Sequence, residues 1–239
     1  MKHSLLTSLV LFAACGGSPL DPGAGNNAGT GTSTLLVTGS ATATPRLANA
    51  QQASDFDTAF SVRIQLAGAP VVTGSVTMTS SHGATPLTFT SVGNDAGHWT
   101  GDASGYDQVY QLDVTSGADK VSGVIVDGPD IHVITSPTAG ATIDSTMPFT
   151  ATWNRAAEAD VARWEMGDGG NGNGIVVPDT GTYSVAPLTL NASKDKAQTN
   201  TIRLTRENRV TPAGATTGSE LTVGVENELD VVAAPCPSC

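Results

Sequence analysis

The stretch Phe60-Ser61-Val62-Arg63-Ile64-Gln65-Leu66 decides the fold class of this chain. Apolar residues alternate with polar ones throughout it, and a period of two is typical of a β-strand that buries one face. Further alternating runs follow along the chain. Gly- and Asn-rich clusters separate these runs at intervals of roughly 8–12 residues, a spacing typical of β-sandwiches and small barrels. The sequence therefore predicts an all-β protein.

The composition supports the same fold class. Charged residues make up only 14% of the 239 residues. Long helices need Leu, Glu, Lys and Arg on their faces, whereas strands and turns use the Val, Thr, Gly and Asn that are abundant here. The 22 acidic residues outnumber the 11 basic ones and give a net charge of −11. Binding to nucleic acid depends on Lys and Arg at phosphates, so we expect no nucleic-acid partner.

The N-terminal residues 1–14 have the pattern of a secretory signal peptide. Lys2 precedes an apolar run, Leu5–Leu11, that is too short to span a bilayer, which needs roughly 20 residues. Two alanines lead into Cys15 and Gly16, and this arrangement resembles the lipobox of Gram-negative bacterial lipoproteins. The resemblance implies lipidation of Cys15 and, because Gly16 is not Asp, a location in the outer membrane. The alternative is an ordinary secreted protein that is cut at the same point.

Residues 15–33 are predicted to form a lipid-anchored flexible tether. The segment is rich in Gly, Pro, Asn, Ser and Thr and has almost no large apolar side chain, so it cannot bury enough surface to offset the entropy of ordering. A random chain of this length spans roughly 20–25 Å on average, which would hold the folded part clear of the lipid headgroups.

Two alternating regions follow the tether. We expect one β-sandwich over residues 34–129, a second over residues 130–235, and a short tail at 236–239. The boundary is placed at Gly128-Pro129-Asp130, where no flexible tract separates the regions. The sequence therefore predicts two small antiparallel sandwiches that lie close together.

The second region resembles an immunoglobulin-like or fibronectin type III–like domain. The resemblance rests on a turn at Ser136-Pro137-Thr138-Ala139-Gly140, on Trp153 and Trp164, and on a long alternating C-terminal strand. It implies two antiparallel sheets packed face to face. Alternation around the two tryptophans predicts that both rings are core residues. Asn227 interrupts the apolar positions of the last strand, and we expect a β-bulge there.

Trp99, Tyr106 and Tyr110 are the candidate ligand-binding residues of the first region. Aromatic rings can stack on a sugar, and the nearby carboxylates of Asp102 and Asp107 can accept hydrogen bonds from its hydroxyl groups. The alternative is a hairpin in which the aromatic rings pair across strands.

The run Gly167–Gly174 contains three candidate calcium ligands, Asp168, Asn171 and Asn173. Aligned with an EF-hand loop, Gly169 occupies the first ligand position and no distal Glu follows. The alternative is a flexible glycine hairpin loop. We predict no other metal site and no cofactor.

Cys236 and Cys239 remain as one pair if Cys15 carries a lipid. A disulfide between them is expected in an exported protein. Half of a zinc site and a redox pair are the alternatives, but the sequence supplies no second Cys-x-x-Cys or His pair for zinc. A terminal tail also supplies no helix N-terminus for a redox pair.

No motif in the chain predicts catalysis. There is no Gly-x-Ser-x-Gly elbow, and a turn explains Gly101-Asp102-Ala103-Ser104-Gly105 better than a hydrolase site does. We therefore expect a non-catalytic protein, held in the outer membrane by its N-terminal lipid. Its role would be to bind a protein or glycan partner, or to act structurally at the cell envelope. The alternatives are an accessory module of a carbohydrate-active enzyme and a calcium-dependent adhesion module.

Overall fold

The computed structural model describes residues 20–167 and 174–237. These residues form eighteen strands and one short 3-10 helix, Ala53–Asp55, so the predicted all-β fold is confirmed. In chain order the strands are β1 (Thr30–Thr32), β2 (Leu35–Pro45), β3 (Phe56–Leu66), β4 (Ala69–Pro70), β5 (Ser75–Ser80), β6 (Gly83–Pro86), β7 (Thr88–Thr90), β8 (His98–Ser104), β9 (Val109–Ser116), β10 (Asp119–Asp127), β11 (Ile134–Ser136), β12 (Thr142–Ile143), β13 (Phe149–Trp153), β14 (Val161–Gly167), β15 (Ile175–Val177), β16 (Thr182–Val185), β17 (Gln198–Val210) and β18 (Glu220–Ala233).

The strands assemble into three sheets. The largest has the order β15-β14-β17-β18-β2-β3-β8-β7, with β12 beside β18 and β4 beside β3. A five-stranded sheet, β1-β10-β9-β5-β6, and a three-stranded sheet, β11-β13-β16, lie against it. We call the largest sheet the shared sheet, because one part of it covers the five-stranded sheet and the other part covers the three-stranded sheet.

Each of the two sheet pairs encloses its own hydrophobic core. The first core contains the alternating residues of the opening stretch, including Val62 and Ile64. The second contains Trp153 and Trp164, which are 4% and 1% exposed and are core residues as predicted. Strand β18 is 14 residues long and contributes to both cores, so the two sandwiches are joined by continuous strands of one sheet.

Two strand pairs run parallel, β18 with β2 and β12 with β18. The prediction of purely antiparallel sandwiches is wrong at these pairs. β2 and β18 come from opposite ends of the described chain, so no hairpin turn forces them to be antiparallel. This parallel pair joins the first sandwich to the strands that continue into the second.

The expected β-bulge at Asn227 is also wrong. The register of β17 and β18 continues without a shift, and Leu204 lies directly opposite Asn227. The Asn227 amide donates to the backbone oxygens of Ala50 and His132, at 2.7 Å each, and accepts from the Ala50 N–H at 2.9 Å. Because these groups satisfy the side chain inside the protein, the strand keeps its regular pairing.

The predicted tether is part of the fold from residue 20 onward. β1 pairs with β10, and the backbones of Asn27 and Ile125 exchange hydrogen bonds of 2.9 and 2.8 Å. The prediction of a flexible tether that reaches residue 33 is therefore wrong for this part. The segment has almost no apolar side chain and is held by backbone hydrogen bonds to the edge of β10. Such backbone pairing leaves no hydrophobic pattern in the sequence. The signal peptide, Cys15 and the start of the tether lie outside the described residues.

Candidate functional site

The aromatic residues predicted to bind a ligand lie in the first core. Trp99, Tyr106 and Tyr110 are 7%, 5% and 1% exposed. Trp99 Nε1 donates to the Val71 carbonyl at 3.0 Å, and the Tyr106 hydroxyl donates to the Pro129 carbonyl at 2.7 Å. Stacking on a sugar requires an open ring face, so the ligand-binding prediction is corrected at these three residues. The rings stabilise the first sandwich instead.

A row of hydroxyl side chains crosses the outer face of the shared sheet. Directly paired positions on β7, β8, β3, β2 and β18 carry Thr88, Thr100, Ser61, Ser40 and Thr222. These residues alternate with inward core residues such as Val62, so their side chains point to the opposite face. Strands in a sheet are about 4.8 Å apart, so the row spans roughly 19 Å.

Two depressions in this face meet at Thr38 and Gly39. One has a volume of about 330 Å³ and is lined in addition by Ser40, Ser61, Arg63 and His98. The other has a volume of about 630 Å³ and extends to Thr222 and to the loop of residues 211–219. We call the row and the lining of these two depressions the hydroxyl face.

Several polar groups of the hydroxyl face are available to a ligand. Ser61 Oγ lies 3.0 Å from His98 Nδ1, so these two side chains hold each other. The side chains of Thr38, Ser40 and Arg63 make no hydrogen bond or ion pair with any other described residue. Within the row, Thr100 Oγ1 lies 2.8 Å from Thr90 Oγ1, and Thr222 Oγ1 donates to the Gly39 carbonyl at 3.3 Å. The groups that can meet a ligand without first breaking a contact between described residues are therefore the hydroxyls of Thr38, Ser40 and Thr88 and the guanidinium of Arg63.

A second polar cluster lies between the two cores, which we call the waist. Its members are the buried side chains of His132, Asp179, Arg206 and Asn227. Arg206 Nε donates to Asp179 Oδ2 at 3.0 Å, and its Nη1 lies 3.2 Å from Asp130 Oδ1. Burial opposes ionisation of Asp179, but hydrogen bonds from a backbone N–H and Trp153, together with Arg206, hold the pKa of Asp179 below its usual value.

His132 is the least satisfied member of the waist. Its Nε2 lies 2.9 Å from the Leu204 carbonyl, while its buried Nδ1 has no partner among the described residues. Burial and the charge of Arg206 lower the pKa of His132 to about 4. The waist is closed to solvent, so we assign it a structural role. The sequence signal was present: Arg206 and Asn227 occupy inward positions of β17 and β18, between core residues.

A pocket of about 470 Å³ beside the waist is walled partly by the N-terminal segment. Two of its carboxylates, those of Asp127 and Asp130, are already bound inside the protein. Asp127 accepts from the backbone of Gly23 and Gly25, at 2.7 and 3.2 Å, and Asp130 accepts from Ala156 at 2.8 Å. These bonds explain the position of the carboxylates without a ligand.

A third depression, of about 400 Å³, brings together His82 and Ser104. Asp107 lies 2.8 Å from His82 Nδ1 and raises the pKa of this histidine above its usual value. A serine hydrolase also needs an activated serine and free oxyanion donors. Here Ser104 Oγ accepts from Arg46 at 2.6 Å, and the N–H of Gly105 is bonded to a carbonyl of β3. The geometry lacks the parts that acyl transfer requires.

The remaining predicted sites fall largely outside the described residues. This applies to Asp168, Asn171 and Asn173, to Cys15 and to Cys239. Cys236 is buried and disulfide-bonded, and its pairing with Cys239 stays a prediction. Over residues 20–167 and 174–237, no group of three or more His, Cys, Asp or Glu side chains could hold a metal ion. No helix in the same ranges is long and apolar enough to cross a membrane.

No protein-family model matches the chain. No curated protein matches it either. Among solved structures, a chain from "Structural insight into host cell surface retention of a 1.5-MDa bacterial ice-binding adhesin" is 18% identical, with a TM-score of 0.22, over 83% of this chain and 66% of that one. A chain from "Biofilm associated protein - BSP domain" is 11% identical, with a TM-score of 0.20, over 85% of this chain and 30% of that one. This chain thus spans less than two thirds of either of these two chains, and similarity at these TM-scores supports no statement about fold or function.

Proposed function

We propose that this protein is a non-catalytic binding module, anchored in the outer membrane through a lipid on Cys15, that holds a glycan on its hydroxyl face. The observation that carries the proposal is the row of five hydroxyl side chains in register across five neighbouring strands. Hydroxyl groups both donate and accept hydrogen bonds, as sugar hydroxyls do. A row of about 19 Å matches an extended oligosaccharide better than a compact small molecule.

The chemistry of the face favours a glycan over a protein partner. Protein interfaces have cores that are rich in aromatic residues and Met and poor in Ser. The exposed large apolar residues of the described chain all lie outside the lining of the two depressions, and they are Leu47, Leu66, Val72, Val92, Met147, Ile175, Val176 and Leu188. The hydroxyl face therefore has no apolar anchor for a protein.

Glycan binding is tested with the cross-strand pair Ser40 and Ser61. The double variant Ser40→Ala/Ser61→Ala removes two outward hydroxyls without touching the core. Net loss of two hydrogen bonds at about 0.5–1.5 kcal/mol each predicts roughly a 5- to 140-fold weaker affinity in calorimetric titration with soluble polysaccharides. The matched control is Thr150→Ala/Ser184→Ala, a cross-strand pair on the three-stranded sheet. Equal affinity of the two double variants, or no binding of any polysaccharide by the wild type, would overturn the proposal.

The anchor is tested separately in cells. We expect the wild-type protein to fractionate with the outer membrane and Cys15→Ser to be released from it. A Cys15→Ser protein that stays in the membrane fraction contradicts the lipid anchor. Protease treatment of intact cells then distinguishes the two faces of the membrane: digestion of the domains places them outside, and protection until the membrane is opened places them in the periplasm.

A further inference from the structure

We infer that the ligand of the hydroxyl face is an acidic glycan, and that Arg63 binds its carboxylate or sulfate group. This inference rests on the proposed function and names the class of sugar. Arg63 stands opposite Thr38 in the pairing of β3 with β2, next to the hydroxyl row. Its side chain lines the smaller depression together with Ser40 and His98.

The position of Arg63 differs from that of most arginines in the fold. Arg46, Arg203, Arg206 and Arg209 each form a salt bridge with a described carboxylate. Arg63 forms none within residues 20–167 and 174–237, although the chain has twice as many acidic as basic residues. A guanidinium that is exposed and unpaired in an acidic protein is available to a ligand anion.

The groups around Arg63 are suited to an anion. A guanidinium presents parallel N–H donors that match the two oxygens of a carboxylate or sulfate. The hydroxyls of Thr38 and Ser40 lie in the same depression and add donors. The carboxylate next to them belongs to Glu220, the cross-strand neighbour of Thr38, and it is already paired with Arg209 at 3.3 Å. The depression therefore has a local positive charge that no described carboxylate neutralises.

The net charge of the protein opposes the approach of an anionic ligand. A protein with a net charge of −11 repels a polyanion at long range, so binding of an acidic glycan depends on short-range contacts. We therefore expect the loss of one cation at the centre of the face to abolish the preference for acidic sugars.

The test compares charged and neutral forms of the same sugar on the full mature chain. The carboxylate probe is a polygalacturonate oligomer and its neutral match is the methyl ester of the same oligomer. The sulfate probe is dextran sulfate, and its neutral match is dextran. We expect the wild type to bind at least one charged probe about tenfold or more tightly than its neutral match, and Arg63→Gln to reduce that ratio to about one. The matched control is Arg163→Gln, because Arg163 is an outward residue of β14 in the same sheet, away from the hydroxyl face.

The outcomes separate this inference from the proposed function. Equal affinity of the wild type for charged and neutral probes overturns the acidic-glycan inference and leaves glycan binding intact. A charge preference that survives in Arg63→Gln, or that Arg163→Gln removes to the same extent, overturns the role of Arg63. Absence of binding to every probe by the wild type overturns both.

Discussion

Strand β18 passes through two kinds of interior. Up to Val225 its inward residues are apolar and belong to the first core, and from Leu229 they are apolar again and belong to the second. Between these stretches the same inward position is occupied by Asn227, and on the neighbouring strand β17 an inward position is occupied by Arg206. The two cores are built from apolar side chains and the waist from polar ones, although one continuous sheet forms part of both.

The difference shows that alternation specifies the direction of a side chain and not its chemistry. Arg206 and Asn227 point inward because their strands keep a period of two, and both are fully buried. A polar side chain at such a position needs partners inside the protein. Arg206 and Asn227 find these partners between the two sandwiches, and Asn200, which is also buried at an inward position of β17, finds them in the backbone of Asn191.

The largest effect on stability is expected from breaking the ion pair of the waist. Arg206→Met leaves the Asp179 carboxylate, which is 0% exposed, without its charged partner. Loss of one partner of a buried pair costs about 3–5 kcal/mol in the free energy of unfolding, measured by urea denaturation. The control is Arg209→Met on the outward side of the same strand, where the side chain is 42% exposed and the cost should stay below about 1 kcal/mol. Similar losses in both variants would mean that the waist is no different from the surface.

Asn227→Leu tests whether an apolar side chain at the waist raises or lowers the stability of the protein. At an inward position of an apolar core, replacement of an Asn by Leu would stabilise the protein, because it buries more apolar surface. At the waist, the substitution removes the partners of the Ala50 N–H, the Ala50 carbonyl and the His132 carbonyl. Unsatisfied buried groups cost about 1–3 kcal/mol each, so we expect a net loss of about 3 kcal/mol in thermal or urea unfolding. A variant as stable as the wild type would show that the waist does not require a polar side chain at this position.

The pH dependence of the unfolding free energy should distinguish the waist from the two cores, because the described residues of the cores include no side chain that titrates near neutral pH. The unfolded state binds a proton at His132 with a pKa near 6.5, and the folded state does so only near pKa 4. Stability is therefore full above about pH 6.5 and falls as the pH is lowered toward 4, by about 2 kcal/mol between about pH 7 and pH 5. His132→Gln should flatten this part of the curve of unfolding free energy against pH. An unchanged slope in that variant would assign the acid sensitivity to other groups.

The same comparison explains which parts of the fold could be predicted. Alternation predicted the strands around Ile64 and the burial of Trp164, because those residues obey the pattern with apolar side chains. It also placed Ser61 and Arg63 on the outward side of their strand. Alternation could not predict that Ser61 and Arg63 lie next to Ser40, because their proximity depends on the pairing of β3 with β2. Sheet register is a long-range property that a single sequence does not contain.

The positions of Trp99 and of the segment around Thr30–Thr32 also depend on how the strands pair. Trp99 was a ligand-binding candidate because Asp102 and Asp107 lie near it in the sequence, and cross-strand pairing of aromatic rings was the alternative. Its strand directs the ring into the first core, where it packs edge-on against Phe89 of the paired strand. The segment around Thr30–Thr32 has almost no apolar residues and was predicted to be flexible. It is held by backbone pairing to β10, which leaves no hydrophobic pattern in the sequence.

The smallest predicted effect concerns the contacts of Asp127 that hold the N-terminal segment beside the waist. The Asp127 carboxylate accepts from Gly23 and Gly25, and Gln108 Nε2 donates to it at 3.0 Å. These contacts are partly exposed, so Asp127→Ala should cost only about 1 kcal/mol in global stability. Amide hydrogen exchange should nevertheless accelerate at Gly23 and Gly25 while the backbone pair of Asn27 stays protected. Asp21→Ala is the control, since the Asp21 carboxylate makes no hydrogen bond or ion pair with another described residue.

This local change has a consequence at the membrane if Cys15 carries the lipid. With the contacts of Asp127 intact, the free connection runs from Cys15 to Gly23, eight residues further on, which allows a reach of at most about 28 Å. Once those contacts open, the free connection extends to Asn27 and its maximal reach rises to about 42 Å. Glu158 lines the same pocket as Gly23 and Asp127. A dye on Glu158→Cys should therefore be quenched by a lipid-borne quencher in the otherwise wild-type protein and less so when Asp127→Ala is added. Equal quenching would mean that the contacts of Asp127 do not set the distance between the lipid anchor and the folded part of the chain.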